Sequence, residues 1–266
     1  MRENRGEYIR KDPCFAELYS SEKAKMATAE ELIGSMDRDG VDVSVALNIG
    51  WSTNELCAET NDYIMESVAR YPDRLVGFCS VQPNLINEAV AEIERCVKGG
   101  IKGIGEIRPD TQRIDLADAE KMRPFTDAVR KHNLILLIHA SEPVGHVYPG
   151  KGSVTPELLY PFIAANPDIK IVCAHWGGGL PFYALMPEVG KAMENVCFDT
   201  AASPYLYTSQ IYRQVISLVG ADRILFGSDY PLMPQNRVLK EIKSQGLGDE
   251  VESKILAANA RRFIQI

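Results

Sequence analysis

Four side chains carry the chemistry this 266-residue sequence can do: Glu106, His139, His175 and Asp229. The two histidines close apolar runs of similar make-up, LLIHAS and VCAHWG, and the aspartate closes RILFGSD just ahead of Tyr-Pro. An apolar run that ends in a polar residue puts that residue at the end of a buried strand. Imidazole and carboxylate together bind Zn²⁺ or a similar divalent ion and leave a position open for water. Such an ion lowers the pKa of bound water and polarises a substrate. A carboxylate beside it can take the water proton, and a neighbouring imidazole can act as acid or base because it titrates near neutral pH. Glu106 and Arg108 alternate along one run and so point the same way. Glu106 is therefore open to three readings: a ligand, a carboxylate orienting a ligand, or an ion-pair partner of Arg108. Arg108, Trp176, Tyr148, Tyr205 and Tyr207 are candidates for touching substrate, with loop packing as the competing reading. His146 lies in a loop, EPVGHVYPGKG, that can cover a site. His132 sits at a helix end, where a positive charge suits the dipole. Asp199 reads as structural.

These residues need elements to position them, and the chain supplies an alternation. Apolar runs at 41–47, 75–82, 101–107, 134–140, 169–176, 196–202 and 223–229 are separated by amphipathic stretches such as 86–100 and 118–133. Near-continuous apolar strands indicate a parallel sheet covered on both faces, and strand–helix alternation gives an α/β fold. The run ends recur every 24 to 36 residues, the spacing of one β/α unit. In a (β/α)8 barrel the C-terminal strand ends face the active site, which is where Glu106, His139, His175 and Asp229 fall. Seven such strands are visible where a closed barrel needs eight, and the final unit ends in a helix at 250–264. The expectation is a TIM-like (β/α)8 barrel, one domain over 1–266, lacking its first β-strand. The polar opening 25 residues read as a loop. Thr28-Ala29-Glu30-Glu31 reads as a capping box, and Pro156 as a helix start. An open dinucleotide-binding sheet is disfavoured, because Gly177-Gly178-Gly179 is not G-x-G-x-x-G.

Composition excludes several classes. A net charge of −7 and a pI near 5.3 argue against nucleic acid as a partner. No apolar stretch is long enough to span a membrane, and the N-terminus has no signal-peptide core, so a cytoplasmic protein is expected. Six cysteines occur without a C-x-x-C pair; Cys79, Cys173 and Cys197 lie in apolar runs and read as buried hydrophobes.

IHAS at 138–141, AHWGGG at 174–179, LFGSDYP at 225–231 and ILAANARRF at 255–263 resemble amidohydrolase-related family 2, which includes aminocarboxymuconate-semialdehyde decarboxylase-like enzymes and several aromatic-acid decarboxylases. The resemblance covers about residues 28 to 266. It implies that His139 and Asp229 are metal ligands, with Asp229 also a proton acceptor and zinc the expected ion. It places His175 as the acid/base beside a single metal and Glu106 as a ligand by position only. It also implies a homodimer. The family's first strand carries H-x-H, and none exists here; the expectation is a truncated start. The implied activity is metal-dependent hydrolysis of a small carboxylated substrate. The alternatives are non-oxidative decarboxylation, a metal-independent lactonase in which Asp229 activates water, or an impaired barrel with a binding role.

Overall fold

The computed structural model describes residues 3–265. Its centre is a sheet of seven parallel strands in chain order: β1 (Ser44–Ala46), β2 (Leu75–Cys79), β3 (Gly103–Ile107), β4 (Ile135–Ile138), β5 (Lys170–Cys173), β6 (Val196–Asp199) and β7 (Ile224–Leu225). The registers run Ser44↔Leu75, Gly103↔Ile135, Ile171↔Val196 and Phe198↔Ile224 at successive seams. Among the described residues β1 pairs only with β2 and β7 only with β6, so the sheet curls without closing. The expected barrel short of a strand is what the chain forms.

The period-two alternation of each strand divides the apolar residues into two layers. Val45, Val76, Phe78, Ile135, Leu137, Val172, Cys197 and Leu225 gather inside the curl, with Phe263 and Ile264 beneath them. Val45, Leu137 and Leu225 are only half-buried there, as expected where one wall of the curl is open. The opposite faces, including Ile104, Leu136, Ile138, Ile171 and Phe198, form the larger core against the surrounding helices. All six cysteines are buried and free, so the buried-hydrophobe reading extends to Cys14, Cys57 and Cys96. No helix among the described residues is long and apolar enough to cross a membrane.

The opening segment departs from the loop expected of it. It forms two short helices, α1 (Arg5–Lys11) and α2 (Pro13–Tyr19), ahead of α3 (Ala29–Asp39). Asp12 starts α2: its Oδ1 accepts the Phe15 N–H at 2.8 Å, and Pro13 takes the first turn, where a missing N–H costs nothing. The other carboxylate oxygen accepts from Ser52 N–H at 2.8 Å and Ser52 Oγ at 2.7 Å, pinning α2 to the loop after β1. Phe15 stacks on Trp51 with ring centroids 5.5 Å apart and 13° between planes, and Tyr8, Cys14, Ile49 and Leu56 complete that cluster. The apolar residues are few and scattered in sequence; what orders the helices is a tertiary contact with the β1 loop, which composition does not reveal. The Thr28 capping box forms as expected, with Glu31 N–H donating to Thr28 Oγ1 at 3.3 Å and Thr28 N–H to Glu31 Oε2 at 2.9 Å.

Candidate metal and proton-transfer site

Glu106 projects from β3, His139 follows β4 directly, and His175 stands two residues past β5. Adjacent parallel strands sit about 4.8 Å apart, so side chains at matching strand ends must meet. They do. His139 Nδ1 lies 2.8 Å from Glu106 Oε1 and His175 Nε2 3.7 Å from the same oxygen. The two imidazoles stand edge to face with centroids 5.2 Å apart. One donor atom from each of the three residues lies within 4.8 Å of the others, a nitrogen–nitrogen–oxygen set suited to a divalent transition metal.

The electrostatics follow from this crowding. Burial pushes the Glu106 carboxyl up, but the two imidazoles outweigh it and hold it well below the usual carboxylate range. Burial pushes His175 down; the Glu106 and Asp229 carboxylates more than reverse that and raise it to about 10. The raised His175 is a cation held between carboxylates, and a divalent ion bound there would take over that positive charge.

His175 is fixed by neighbours that the strand pattern does not advertise. Its backbone adopts φ 54° and ψ 50°, a left-handed conformation unusual for a residue with a side chain. Asp199 at the end of β6 holds this turn: its Oδ1 accepts the His175 N–H at 2.9 Å and the Ala201 N–H at 3.0 Å. The Ala201 carbonyl in turn sits 3.2 Å from His175 Nδ1, so Nδ1 carries the proton and Nε2 faces Glu106. Ser141 does the like for His139, with its Oγ 3.0 Å from Nε2 and accepting the Gly152 N–H at 3.1 Å. Gly178 lets this happen: a Cβ there would lie 2.3 Å from the Ser141 carbonyl oxygen. The sequence marks Ser141 only by a hydroxyl two residues past a strand-end histidine. Asp199 shares the inner face of β6 with Cys197, an alternation that gives its direction but not its role.

Asp229 comes four residues after β7, also with positive φ (62°). It is exposed to solvent and makes no side-chain hydrogen bond among the described residues. It stands outside the close donor group of Glu106, His139 and His175. Crowding by protein raises its carboxyl, an effect that the water reaching it reduces, and His175 opposes it. Hydrogen bonds between Thr200 Oγ1 and the backbone of Gly227, at 2.9 and 3.0 Å, tie the loop bearing Asp229 to β6.

The candidate substrate contacts divide. Arg108 is completely buried below α2, its Nη2 3.2 Å from Glu17 Oε1 and 3.0 Å from the Gly150 carbonyl. Tyr148 donates to Glu142 Oε2 at 3.1 Å beside Ser141. Trp176 is moved away from any substrate: the left-handed turn at 175–176 sends its indole into the core, where it donates to Ser203 Oγ and meets Tyr212 edge-on. His146 is exposed against Tyr148 rather than in the site, and His132 pairs with Glu94.

A model of the amidohydrolase family matches residues 22–266. The chain belongs to that family. It is 24% identical over 257 residues to gamma-resorcylate decarboxylase of Rhizobium radiobacter, covering 80% of this chain and 76% of that protein. It is 22% identical over 280 residues to 2-amino-3-carboxymuconate-6-semialdehyde decarboxylase of Dictyostelium discoideum, covering 87% of this chain and 75% of that one. The manganese-bound 5-carboxyvanillate decarboxylase of Novosphingobium aromaticivorans superposes with a TM-score of 0.80 at 20% identity, over all of this chain and 94% of that one. That likeness confirms the TIM-like fold.

Proposed function

We propose that this protein is a divalent-metal-dependent, non-oxidative decarboxylase of a small carboxylated substrate. The observation that carries the reading is the convergence of Glu106, His139 and His175 at three strand ends, with the Asp229 carboxylate beside them making no hydrogen bond among the described residues. The sequence by itself puts hydrolysis first; the similarity to proteins named as decarboxylases, over about three quarters of their lengths, moves decarboxylation ahead. Glu106, His139 and His175 would hold the ion, which when bound supplies positive charge that orients the substrate's oxygens and accepts electron density. Zinc suits this donor set, and manganese, held by the Novosphingobium relative, suits its carboxylate.

The chain's own residues do the rest. In decarboxylation the C–C bond breaks, CO2 leaves, and the electron pair remains on the substrate carbon, which must receive one proton. Asp229 carries that proton: raised above the usual carboxylate range and unengaged, it can hold a proton and deliver it to the vacated carbon. Asp199 and Ser141 hold the imidazoles in place while this occurs.

The test is CO2 release from 2,6-dihydroxybenzoate and 5-carboxyvanillate with manganese added. Turnover of either is expected, and Asp229→Asn should lower kcat by ~100-fold or more while metal occupancy holds. No release from these or related ring carboxylates, or undiminished turnover by Asp229→Asn, contradicts the reading.

A further inference from the structure

The far end of the curl holds a cavity that the proton-transfer site does not use. It lies where β5, β6 and β7 begin, at the opposite strand ends from Glu106, His139 and His175. Its volume is about 390 Å³, the size of a small-molecule pocket. Lys170 shares a face of β5 with Val172, which points inside the curl, so the lysine points inward too. Arg223, just ahead of β7, lines the same space, and the closing helix Asn259–Ile264 adds Arg262 and Phe263. The buried Cys197 of β6 lies between them. Burial pushes its thiol up, and Arg262 and Arg223 draw it back, so both guanidiniums stand near one sulfur.

Two of these three cations lack a counter-charge. Lys170 and Arg223 are half-buried, and neither pairs with a carboxylate among the described residues. Lys170 Nζ reaches the Phe263 carbonyl at 3.5 Å, and Arg223 Nη1 the Met193 carbonyl at 3.2 Å. Nε and Nη2 of Arg223, which share one edge of the guanidinium, make no hydrogen bond among those residues. Of the two acids on the lining, Asp222 is already shared by Arg262 and Lys254, each at 3.4 Å, and Glu194 is exposed to water. Half-burying a cation sacrifices hydration, and here no protein anion restores it.

We propose that this cavity binds a phosphate monoester with a small apolar body. Such a group carries about two negative charges near pH 7, which match Lys170 and Arg223. The open edge of Arg223 offers the paired N–H groups that suit phosphate oxygens, and Lys170 serves as a point charge. The space beside Cys197 and Phe263 takes the apolar body. A single phosphate ion would leave most of the cavity unfilled, and a monoanion would leave one cation unmatched.

The experiment is titration calorimetry with phenyl phosphate, and with phenyl sulfate as a monoanion of the same shape. One phenyl phosphate should bind per chain, about tenfold more tightly than phenyl sulfate, the worth of one charge-assisted contact. Lys170→Gln and Arg223→Gln should each weaken phenyl phosphate about tenfold by the same reasoning. Lys240→Gln, which removes an exposed cation outside the cavity, should change nothing. Affinity should be equal with and without manganese, because the cavity lies at the other strand ends. Absence of phenyl phosphate binding, binding that requires manganese, equal affinity for phenyl sulfate, or wild-type affinity in both cavity variants overturns the proposal. If Arg223→Gln does not fold, Lys170→Gln decides alone. CO2 release plays no part in the readout, so the cavity and the decarboxylase reading stand or fall separately.

Discussion

Asp199 offers the sharpest test of how the site is built. Its Oδ1 accepts two backbone N–H groups, from His175 at 2.9 Å in the turn that aims the imidazole and from Ala201 at 3.0 Å, whose carbonyl faces the same ring's Nδ1. Hydrogen bonds to an ionised acceptor contribute about 1.5–3 kcal/mol each, so Asp199→Ala removes ~3–6 kcal/mol gross. An offset exists. Burial raises the Asp199 carboxyl above its usual range, so ionising it in the folded protein costs energy that the substitution returns. The net expectation is ~2–4 kcal/mol of destabilisation for Asp199→Ala. For Asp199→Asn, which keeps an uncharged acceptor, it is about 1 kcal/mol or less. Activity should separate the two effects. With the turn released, His175 shifts by a fraction of its length, and misplacement on the order of 1 Å costs ~100-fold in rate. Asp199→Ala should therefore lose kcat by about that factor with KM little changed, and Asp199→Asn should fall between. Urea unfolding at pH 7 and CO2 release are the assays. If Asp199→Ala unfolds at the wild-type urea concentration and turns over at the wild-type rate, Asp199 does not hold His175 and the reasoning fails.

Two further outcomes follow from the same physics. Glu92 is 6% exposed and accepts from Asn61 Nδ2 at 2.7 Å and from Arg95 Nε and Nη2 at 2.8 and 2.7 Å; burial pushes its carboxyl up, but Arg95 and Asn61 prevail and hold it below the usual value. A carboxyl depressed in the folded state contributes stability that is present above its unfolded pKa of about 4.3 and lost as pH falls through the lower folded value. Urea midpoints measured downward from pH 7 should show that acid-side loss in wild type and its absence in Glu92→Gln. Phe15→Ala should remove ~3–4 kcal/mol of local packing and free α1 and α2 from Trp51, read as a red shift of tryptophan emission with the barrel's circular dichroism retained; an unshifted emission maximum means that these helices do not depend on that stack.

Much of this was legible in the sequence because it rests on period and spacing. Seven apolar runs became seven strands in order, and the polar residues closing three of them, Glu106, His139 and His175, met at one end of the sheet. Parallel strand order makes that outcome nearly automatic once the runs are aligned by their ends. What stayed hidden rests on tertiary contact. The helices of residues 5–19 depend on Asp12 reaching Ser52 and Phe15 reaching Trp51, 40 and 36 positions away. Trp176 looked like a mouth residue by adjacency to His175, but a left-handed turn reverses its direction. The support of His175 by Asp199 joins two strands through a side chain whose role neither strand's pattern states.

The central claim is that Glu106, His139 and His175 form one divalent-metal site. Manganese titration followed by calorimetry, on the wild-type chain and on Glu106→Gln, His139→Asn and His175→Asn, tests it most directly. The account predicts one ion per wild-type chain and a loss of affinity of ~10-fold or more in each variant. Absence of manganese and zinc binding by the wild-type chain, or wild-type affinity in all three variants, contradicts it.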